Sequence, residues 1–522
     1  MADTPTKKRL ALYLPFLCVV AWFLPPLFDM GYSWDDREVL VENPAVRDFD
    51  IGRILTEDYW AQRGGAGQYR PLALASLALD RKLFGEDPIA LHRVGLLLHG
   101  LCVLVLALAL DRLRPGAFAP ALGLLFLHPV AAEQATWIVG RTGSLALGLG
   151  GLALYCALGG RLLAAAVCVF LGAHAREDAV IFVPVIALLL PAAERRRWAI
   201  TGGATLGVWL AVRWLAIGMV LPPVELSWTA PFDSFAHHAG MLLLIDPPRV
   251  MSAGLASTGI WRALLPAFLL GCFIAAGRGL RTRNGLVWAL LAFLPFAQLV
   301  VHGEQVAARY AYPMLPGLAL AGLVVMAPSG PRLRAVLALL PLLLAPFWLR
   351  QVHVLSDARR TFEQVLAVEP DNARAALALA LAEENAGDAA AAVRRFEDLV
   401  KRRPRYAKAH VNLGRLLWKR GELARAERVL EDAVARFPNS GRAGLTFGRF
   451  LYEQKRYGAA ALELEEALVR NPCEGQAARY LCRSLLRLGK RARAAKVLEV
   501  ARRLDPKHRA LIELERLLTS AR

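Results

Sequence analysis

The chain has 522 residues, of which 56% are hydrophobic, and its mean hydropathy is +0.38. These values exclude an ordinary soluble globular protein and indicate many membrane spans. The formal net charge of +19 does not imply a nucleic-acid partner, because the basic residues cluster in short loops between apolar runs and over the last third of the chain.

The first apolar run follows Lys7-Lys8-Arg9 and closes at Pro25-Pro26. No small-residue cleavage site follows it, which favours an uncleaved first helix with its amino end in the cytoplasm. Residues 29–86 are polar and mixed in charge, and they predict a large extracytoplasmic loop with short surface helices. Further apolar runs predict spans at about 91–110, 117–131, 142–158, 162–175, 178–193, 198–219, 259–277, 285–301, 310–327 and 333–349, which makes about eleven in all.

Basic residues occupy alternate connections between these runs, and the positive-inside rule places those connections in the cytoplasm. The segment Phe235 to Ile245 is too short to span and ends in Asp246-Pro247-Pro248, so it predicts an interfacial helix. With eleven spans, the carboxyl-terminal region lies on the extracytoplasmic side. A composition rich in Arg, Ala and Leu suggests a bacterium, and therefore a multi-pass protein of the inner membrane. The basic connections carry Arg112, Arg114, Arg161, Arg195, Arg196, Arg197, Arg278, Arg281, Arg283, Arg332 and Arg334.

After about residue 350 the pattern changes to a repeat of 34 residues, which is the period of the tetratricopeptide repeat. Residues that recur every 34 positions indicate a half-repeat from Leu355 to Pro370, four full repeats and a capping helix from about Ala510. The predicted fold is therefore all-α, with a transmembrane domain at 1–350 and a repeat solenoid at 351–522. The proline column is Pro370, Pro404, Pro438, Pro472 and Pro506; a large apolar column is Leu379, Leu413, Phe447 and Leu481; a small one is Ala392, Ala426, Ala460 and Ala494; Gly387, Gly421 and Gly489 mark turns.

The acidic pair Asp35-Asp36 follows the first apolar run, at the depth where a helix leaves the bilayer. Carboxylates there are costly unless they have a function or a partner. Transfer of an activated sugar requires a base that takes the proton of the acceptor hydroxyl, and such a displacement inverts the anomeric centre. The alternative is an acidic pair that caps a helix or pairs with Arg37 or Arg70.

Four arginines are expected at extracytoplasmic helix ends, against the positive-inside bias: Arg141, Arg176, Arg213 and Arg309. Guanidinium groups bind phosphate bidentately and would stabilise a lipid phosphate as a leaving group. Each arginine also has a structural alternative. These are Arg141 with Glu133, Arg176 with Glu177 or Asp178, and Arg309 with Glu304. His92, His99 and His128 lack a third ligand at metal spacing, so we predict no metal and no cofactor.

In the repeats, Arg415, Arg449 and Arg483 recur every 34 residues where a first helix faces the concave groove. Trp418 and Tyr452 follow three residues after the first two of them, and Lys408 and Arg442 lie near the helix starts. Arginine and aromatic side chains suit an extended acidic segment or a peptide carboxylate. The alternative is a solvated basic face in an Arg-rich protein.

The order of these features resembles the transmembrane and tetratricopeptide-repeat O-mannosyltransferases, over nearly the whole chain. The matching motifs are Tyr32-Ser33-Trp34-Asp35-Asp36 with Asn43, Tyr69-Arg70-Pro71-Leu72, His92 with His99, His128-Pro129-Val130 with Glu133, Gly140-Arg141, Arg176-Glu177 and Ala308-Arg309-Tyr310-Ala311-Tyr312-Pro313. Three positions depart from the family: Gly95 replaces asparagine, Gly143 replaces aspartate and Ala308 replaces glutamate.

The resemblance implies a metal-independent membrane enzyme of the GT-C class that takes a sugar, mannose in the family, from a polyprenyl phosphate. It implies Asp35 as the base, with Asp36 orienting the acceptor or binding the donor. The acceptor would be a hydroxyl, such as Ser or Thr of an exported protein bound by the repeats. Two alternatives stay open: a non-catalytic membrane-anchored scaffold for envelope assembly, and a transferase that acts on a glycan or lipid.

Overall fold

The computed structural model describes residues 4–61, 67–219, 230–244, 248, 267–268, 271, 280–297, 307–325, 339–470 and 475–504. Every regular element in these ranges is helical, which confirms the predicted all-α class. The chain divides into two compact units, Met1–Asn372 and Ala373–Arg522. Helices up to residue 372 therefore belong with the first unit, although the repeat pattern in the sequence begins near residue 355.

The first unit contains α1 (Thr4–Leu27), α2 (Trp34–Arg37), α3 (Pro44–Arg47), α4 (Ile51–Thr56), α5 (Pro71–Phe84), α6 (Pro88–Leu113), α7 (Phe118–Leu127), α8 (Ala132–Thr136), α9 (Arg141–Leu158), α10 (Leu162–Ala175), α11 (Phe182–Leu189), α12 (Ala192–Ile217), α13 (Ala230–Leu242), α14 (Leu280–Phe293), α15 (Ala308–Ala311), α16 (Leu315–Val325), α17 (Ala345–Leu355) and α18 (Ala358–Val368). Among the described residues, α6, α9 and α12 are long and apolar enough to cross a membrane. Shorter apolar helical segments lie at Tyr13–Leu27, Phe118–Leu127, Leu162–Ala175, Arg283–Phe296 and Leu340–Leu355.

Two predicted spans are interrupted by helix-breaking chemistry. The run 117–131 is helical only to Leu127, because Pro129 has no backbone N–H to donate and opens a 3₁₀ turn. The run 178–193 begins as a 3₁₀ turn, Glu177–Ile181, before the eight residues of α11. The predicted span 259–277 lies almost wholly outside the described residues, as do Asp246-Pro247, Glu304, Arg332 and Arg334.

Residues 29–61 and 67–86 pack around an apolar cluster. Asn43 caps α3 by accepting a hydrogen bond from the backbone N–H of Ala45, and Pro44 occupies the first helical position, where no N–H is needed. Within this cluster, α5 presents Leu74 and Leu77, both at most 1% exposed. The same cluster holds Val39, Leu40, Ala45, Val46, Ile54, Tyr59, Ala73, Ala78, Leu91, Ile138 and Val139. These residues are thus joined by packing to the segment that precedes α9.

The predicted interfacial helix is α13, and it is buried in the first unit. Asp233, Ser234, Phe235 and His238 are each at most 4% exposed, and the Ser234 hydroxyl donates to the carbonyl of Phe296 at 2.9 Å. The helix begins five residues before the expected Phe235 and has 13 residues, which is too short to span a membrane. Its interfacial position stays a prediction.

Two glycines allow α14 and α16 to meet backbone to backbone. A Cβ on Gly285 would lie 2.6 Å from the Ala321 nitrogen, and one on Gly317 would lie 2.5 Å from the Ala289 nitrogen. Such distances leave no room for a side chain. Close backbone approach at small residues is a common way for helices to associate in membranes.

The second unit consists of helix pairs at the predicted period. They are α19 (Ala373–Asn385), α20 (Ala389–Arg402), α21 (Ala407–Lys419), α22 (Leu423–Arg436), α23 (Gly441–Glu453), α24 (Tyr457–Arg470), α25 (Gly475–Arg487) and α26 (Arg491–Leu504). The alanine column Ala392, Ala426, Ala460 and Ala494 is fully buried, and the large column Leu379, Leu413, Phe447 and Leu481 is 1–7% exposed. Small residues therefore face large ones throughout this core. Pro472, Pro506 and the expected capping helix lie outside the described residues.

Candidate functional site

Asp36 is a buried, fully bonded carboxylate. It is 0% exposed, and one oxygen accepts from the Ser33 hydroxyl at 2.5 Å and the Ser33 backbone N–H at 3.0 Å. The other oxygen accepts from the backbone N–H of Val139 at 3.0 Å. Burial raises the pKa of Asp36, against the opposing effects of His92 and these donors. Asp36 thus caps α2 and ties it to the segment before α9, which is the structural alternative considered for the pair.

Asp35 has a different environment from its neighbour. It is partly exposed, and its charge acts on two groups from other parts of the unit. Burial opposes the charge of Arg309, but Tyr310, Glu133 and Asp35 outweigh it and raise the pKa of Arg309. Burial, aided by Asp35 and Asp36, raises the pKa of Tyr59. Of the two carboxylates, Asp35 is the one that is exposed to solvent in part.

Further contacts hold the acidic segment in place from both sides. A ring nitrogen of His92 lies 2.9 Å from the Gly31 carbonyl, and the Tyr32 hydroxyl donates to the Glu86 carbonyl at 2.7 Å. Arg81 donates to the Leu40 carbonyl at 2.7 Å. Since these contacts come from α5, α6 and the loop between them, the position of α2 is determined by the surrounding structure.

Glu177 collects one group of basic side chains. Arg70 donates to it at 2.9 Å, Arg213 lies 3.4 Å from it, and the Tyr69 backbone N–H donates to it at 3.0 Å. Arg213 also donates to the Gly67 carbonyl. Burial disfavours the Glu177 carboxylate, but Arg70 and Arg213 outweigh burial and lower its pKa. Glu177 therefore neutralises part of the predicted arginine cluster.

Glu133 and Arg309 form a second buried pair. Arg309 donates to the two Glu133 oxygens, from its guanidinium at 2.6 Å and from its backbone N–H at 3.0 Å. Its guanidinium lies 4.9 Å from the Tyr310 ring and 5.3 Å from the Trp137 ring. Burial raises the pKa of Glu133, and Arg309 and Arg176 act against it. Glu133, which the sequence suggested as a partner for Arg141, therefore pairs with Arg309 instead. The partner that the sequence suggested for Arg309, Glu304, lies outside the described residues.

Arg176 is the least strongly paired of the four arginines among the described residues. It is 6% exposed, and its carboxylate partner, Asp178, lies 3.5 Å away. Its guanidinium lies 5.1 Å from the Phe296 ring and 5.6 Å from the Tyr310 ring. A Cβ on Gly143 would come within 2.8 Å of Arg176 and 2.5 Å of the Gln134 side chain. The glycine at 143 leaves this space to the glutamine.

Arg141 has different partners from Arg176, Arg213 and Arg309. It is 1% exposed, pairs with Asp80 of α5 and donates to the Ile138 carbonyl at 3.1 Å. Neither a phosphate-binding role nor the expected pairing with Glu133 agrees with this geometry. Its second terminal nitrogen is buried without a hydrogen bond and lies 4.0 Å from the position of a Cβ on Gly95.

His128 is a structural residue. One ring nitrogen accepts from the Val130 backbone N–H at 3.3 Å, and the other lies 3.1 Å from the Leu242 carbonyl. It therefore joins the end of α7 to α13. Among the described residues, no three His, Cys, Asp or Glu side chains are placed to hold a metal ion.

The predicted groove arginines differ in their partners. Arg415 forms a two-pronged ion pair with Glu384, which Lys419 also approaches at 3.4 Å. Arg449 instead lies 5.5 Å from the ring of Trp418. Tyr452 packs 5.5 Å from the Tyr480 ring. In the described part of the repeats, Arg483 has no ion pair.

Sequence reasoning missed Asp80 and Gln134, and it did not single out Asp178 over Glu177 as the carboxylate beside Arg176. A signal existed only for Asp80, as an acidic residue amid the apolar residues of α5. The partners of the arginines depend on how distant helices cross, which no local spacing reveals.

The stacked helix pairs define a tetratricopeptide-repeat domain, and the family model for the tetratricopeptide repeat matches residues 355–393, 377–441 and 445–509. Over this repeat region the chain is similar to proteins named as TMTC1 O-mannosyl-transferases. It is 37% identical over 122 residues to the human protein O-mannosyl-transferase TMTC1, which is 22% of this chain and 14% of the relative. It is 30% identical over 118 residues to Drosophila melanogaster Tmtc1, which is 21% of this chain and 14% of that protein.

The chain therefore spans only about one seventh of the length of these relatives. Among solved structures, it is similar to TTC0263, a thermophilic TPR protein in Thermus thermophilus, at 24% identity and a TM-score of 0.27, covering 31% of this chain and 88% of that chain. It is also similar to MamA from Desulfovibrio magneticus RS-1, at 22% identity and a TM-score of 0.26, covering 29% of this chain and 85% of that chain.

Proposed function

We propose that the chain is an inverting membrane glycosyltransferase that moves a sugar from a polyprenyl phosphate to a hydroxyl acceptor. By resemblance the sugar is mannose, and the acceptor is Ser or Thr of an exported protein bound by the repeats. The single observation that carries this proposal is the position of Asp35. It is a partly exposed carboxylate whose charge acts on Arg309, the arginine paired with Glu133.

In the proposed reaction the acceptor oxygen attacks C1 of the sugar, and the bond from C1 to the phosphate oxygen breaks. Asp35 takes the acceptor proton, and the polyprenyl phosphate leaves with the bonding electrons. Asp36 does not touch the substrate, because both of its oxygens are bonded within the protein. Its part is to hold α2, and with it Asp35, in place.

The arginines of the site can bind an anionic ligand. Among the described residues, Arg70, Arg176, Arg213 and Arg309 face the carboxylates Glu133, Glu177 and Asp178. Asp35, whose charge also acts on Arg309, makes four negative groups against four positive ones, so the cluster has no excess charge. Its capacity for a phosphodiester comes from guanidinium N–H groups, which a phosphate accepts bidentately. Arg176 is the best candidate for the contact, because its ion pair is the longest of these.

The test is transfer of labelled sugar from the lipid donor by the purified chain. We expect transfer with inversion at C1, and its loss when Asp35→Ala is combined with Asp36→Ala. Undiminished transfer by the double variant would remove both residues from the chemistry.

A non-catalytic scaffold is the second candidate, and the ion pairs favour it, because each arginine of the cluster has a carboxylate beside it. The two candidates differ in a deletion strain. Full-length Asp35→Asn restores the phenotype if the chain is a scaffold and fails to restore it if the chain is a transferase. The glycoproteins and envelope glycans of the strain then separate a protein acceptor from a glycan or lipid acceptor.

A further inference from the structure

One position in the groove changes its chemistry from repeat to repeat. Counting by 34 residues, the position held by Glu384 in α19 is held by Trp418 in α21 and by Tyr452 in α23. An arginine recurs 31 residues after this position, as Arg415, Arg449 and Arg483. Arg415 forms an ion pair with Glu384, whereas Arg449 lies 5.5 Å from the ring of Trp418.

In the first pair the arginine is already satisfied. Arg415 donates from both terminal nitrogens to the two oxygens of Glu384. Burial opposes the charge of Glu384, but Arg415 and Lys419 outweigh it and lower its pKa. An arginine paired in this way has little capacity for a second carboxylate.

Arg449 has the opposite arrangement. Its guanidinium lies 5.5 Å from the ring of Trp418 on the preceding repeat and 5.5 Å from the ring of Tyr480 on the following one. Packing holds both rings, Trp418 at 5.6 Å from the Phe450 ring and Tyr480 at 5.5 Å from the Tyr452 ring. Arg449 itself is exposed and, within the described repeats, has no ion pair.

The surroundings of Arg449 carry an excess of positive charge. Arg479 lies 5.5 Å from the Tyr480 ring and Arg487 lies 6.0 Å from the Tyr457 ring. Neither of these, nor Arg483, has an ion pair in the part of the repeats that the structure describes. One helical turn after Arg449, the side chain of Glu453 is exposed to solvent.

We propose that this aromatic-flanked basic surface, formed by Arg449, Arg479, Arg483 and Arg487 with Trp418 and Tyr480, binds an acidic segment of a partner polypeptide. The Arg449 guanidinium lies beside two aromatic rings and has no ion pair in the described repeats, so its N–H groups are available to a carboxylate, which accepts them bidentately. Because Arg415 is neutralised by Glu384, it does not contribute to this surface. Within the proposed function this segment belongs to the acceptor, but the inference does not require transfer of a sugar.

The probe is a fluorescent peptide of about ten residues in which Glu alternates with Gly, compared with the same peptide carrying Gln. Binding to the purified full chain in detergent is measured by fluorescence anisotropy. We expect the Glu peptide to bind at least about tenfold more tightly than the Gln peptide, with an advantage that falls as salt is raised. Equal binding of the two peptides would overturn the proposal.

Charge-matched variants locate the surface. Arg449→Gln should weaken binding of the Glu peptide by about tenfold, whereas Arg436→Gln, on an exposed arginine paired with Asp432 on α22, should leave it unchanged. Equal losses from the two variants would mean that only overall charge matters, and would contradict the proposal.

Substitutions at the position held by Glu384, Trp418 and Tyr452 test the proposed surface without removing an arginine. Trp418→Glu should provide Arg449 with the partner that Arg415 has and should weaken binding as much as Arg449→Gln does. Glu384→Gln should release Arg415 and strengthen binding. Normal binding by Trp418→Glu would refute the proposed surface. Because these experiments measure peptide binding and not sugar transfer, a negative result would contradict the proposed binding surface and would leave the transferase proposal untouched.

Discussion

At the residue scale, Asp35 and Asp36 are neighbours with different surroundings. Three donors from Ser33 and Val139 occupy both oxygens of Asp36, and the side chain is completely buried. Asp35 is partly exposed and belongs electrostatically to the arginine cluster through Arg309. A base must approach the proton that it removes, so the two residues should respond differently to the same substitution.

We predict that Asp35→Asn lowers kcat for sugar transfer by about 10²- to 10⁴-fold and leaves the KM for the lipid donor nearly unchanged. The amide has a similar shape but cannot accept the acceptor proton. Steady-state transfer with labelled donor measures both constants. A loss that appeared only in the KM for the donor would assign Asp35 to binding instead of proton transfer.

We predict that Arg176→Gln has the complementary effect. It removes the positive charge with the weakest internal partner, so the KM for the donor should rise by about tenfold or more. Arg141→Gln is a poor control, because it would leave Asp80 buried without its partner. Arg112→Gln, which removes a guanidinium stacked on Tyr155 at 3.6 Å, is the better one, and it should leave the KM unchanged.

At the element scale, one repeat turn departs from the others. Gly387, Gly421 and Gly489 have φ of 88°, 81° and 72°, and the equivalent position of the third repeat is Lys455, with φ of 62°. A side chain in the left-handed region costs about 1 kcal/mol, whereas glycine adopts it freely.

Lys455→Gly should therefore stabilise the third repeat by up to about 1 kcal/mol, and Gly421→Lys should destabilise the second by a similar amount. Hydrogen exchange of the helices on either side of each turn measures the change in local opening. Faster exchange around position 455 in Lys455→Gly would show that Lys455 makes a compensating interaction.

The Glu384–Arg415 pair links the first two repeats and gives them a pH dependence. The pKa of Glu384 in the folded chain lies below its ordinary value of 4.5. Its ionic contribution is therefore complete above pH 4.5 and is lost as the pH falls through the folded pKa.

We predict that Glu384→Gln speeds hydrogen exchange of α19 and α21 at neutral pH, and that this difference from the unsubstituted chain shrinks as the pH falls below 4.5. Comparison at each pH cancels the intrinsic pH dependence of exchange. A difference that stayed constant across this range would mean that the charge of Glu384 does not support the pairing.

The same scale shows what the sequence can and cannot reveal. The repeat helices and their small and large core columns follow from the 34-residue period, because each helix contacts only its neighbours along the chain. The pairings of Arg141 with Asp80 and of Arg309 with Glu133 join residues 61 and 176 positions apart. Such pairs depend on the crossing of several helices, so the sequence identified the arginines and the nearby partner of Arg176, Asp178, but not these distant partners.

At the scale of the whole molecule, a helical unit with apolar helices precedes a tetratricopeptide-repeat unit, and the two have separate chemistry. In the first unit the charge of Asp35 acts on Arg309, which pairs with Glu133, and in the second unit Arg449 lies beside two aromatic rings. The matched relatives cover the repeats, so the catalytic part of the proposed function rests on residues of the first unit.

The central claim is that Asp35 and the arginine cluster serve one substrate. It is tested most directly by an experimental structure of the full chain with a polyprenyl-phosphate sugar bound. Our account predicts that Arg176 lies within about 3 Å of a phosphate oxygen, with C1 of the sugar directed toward Asp35. A donor phosphate bound away from Arg176 and Arg309, or a sugar that leaves Asp35 on the far side of the helices, would contradict it.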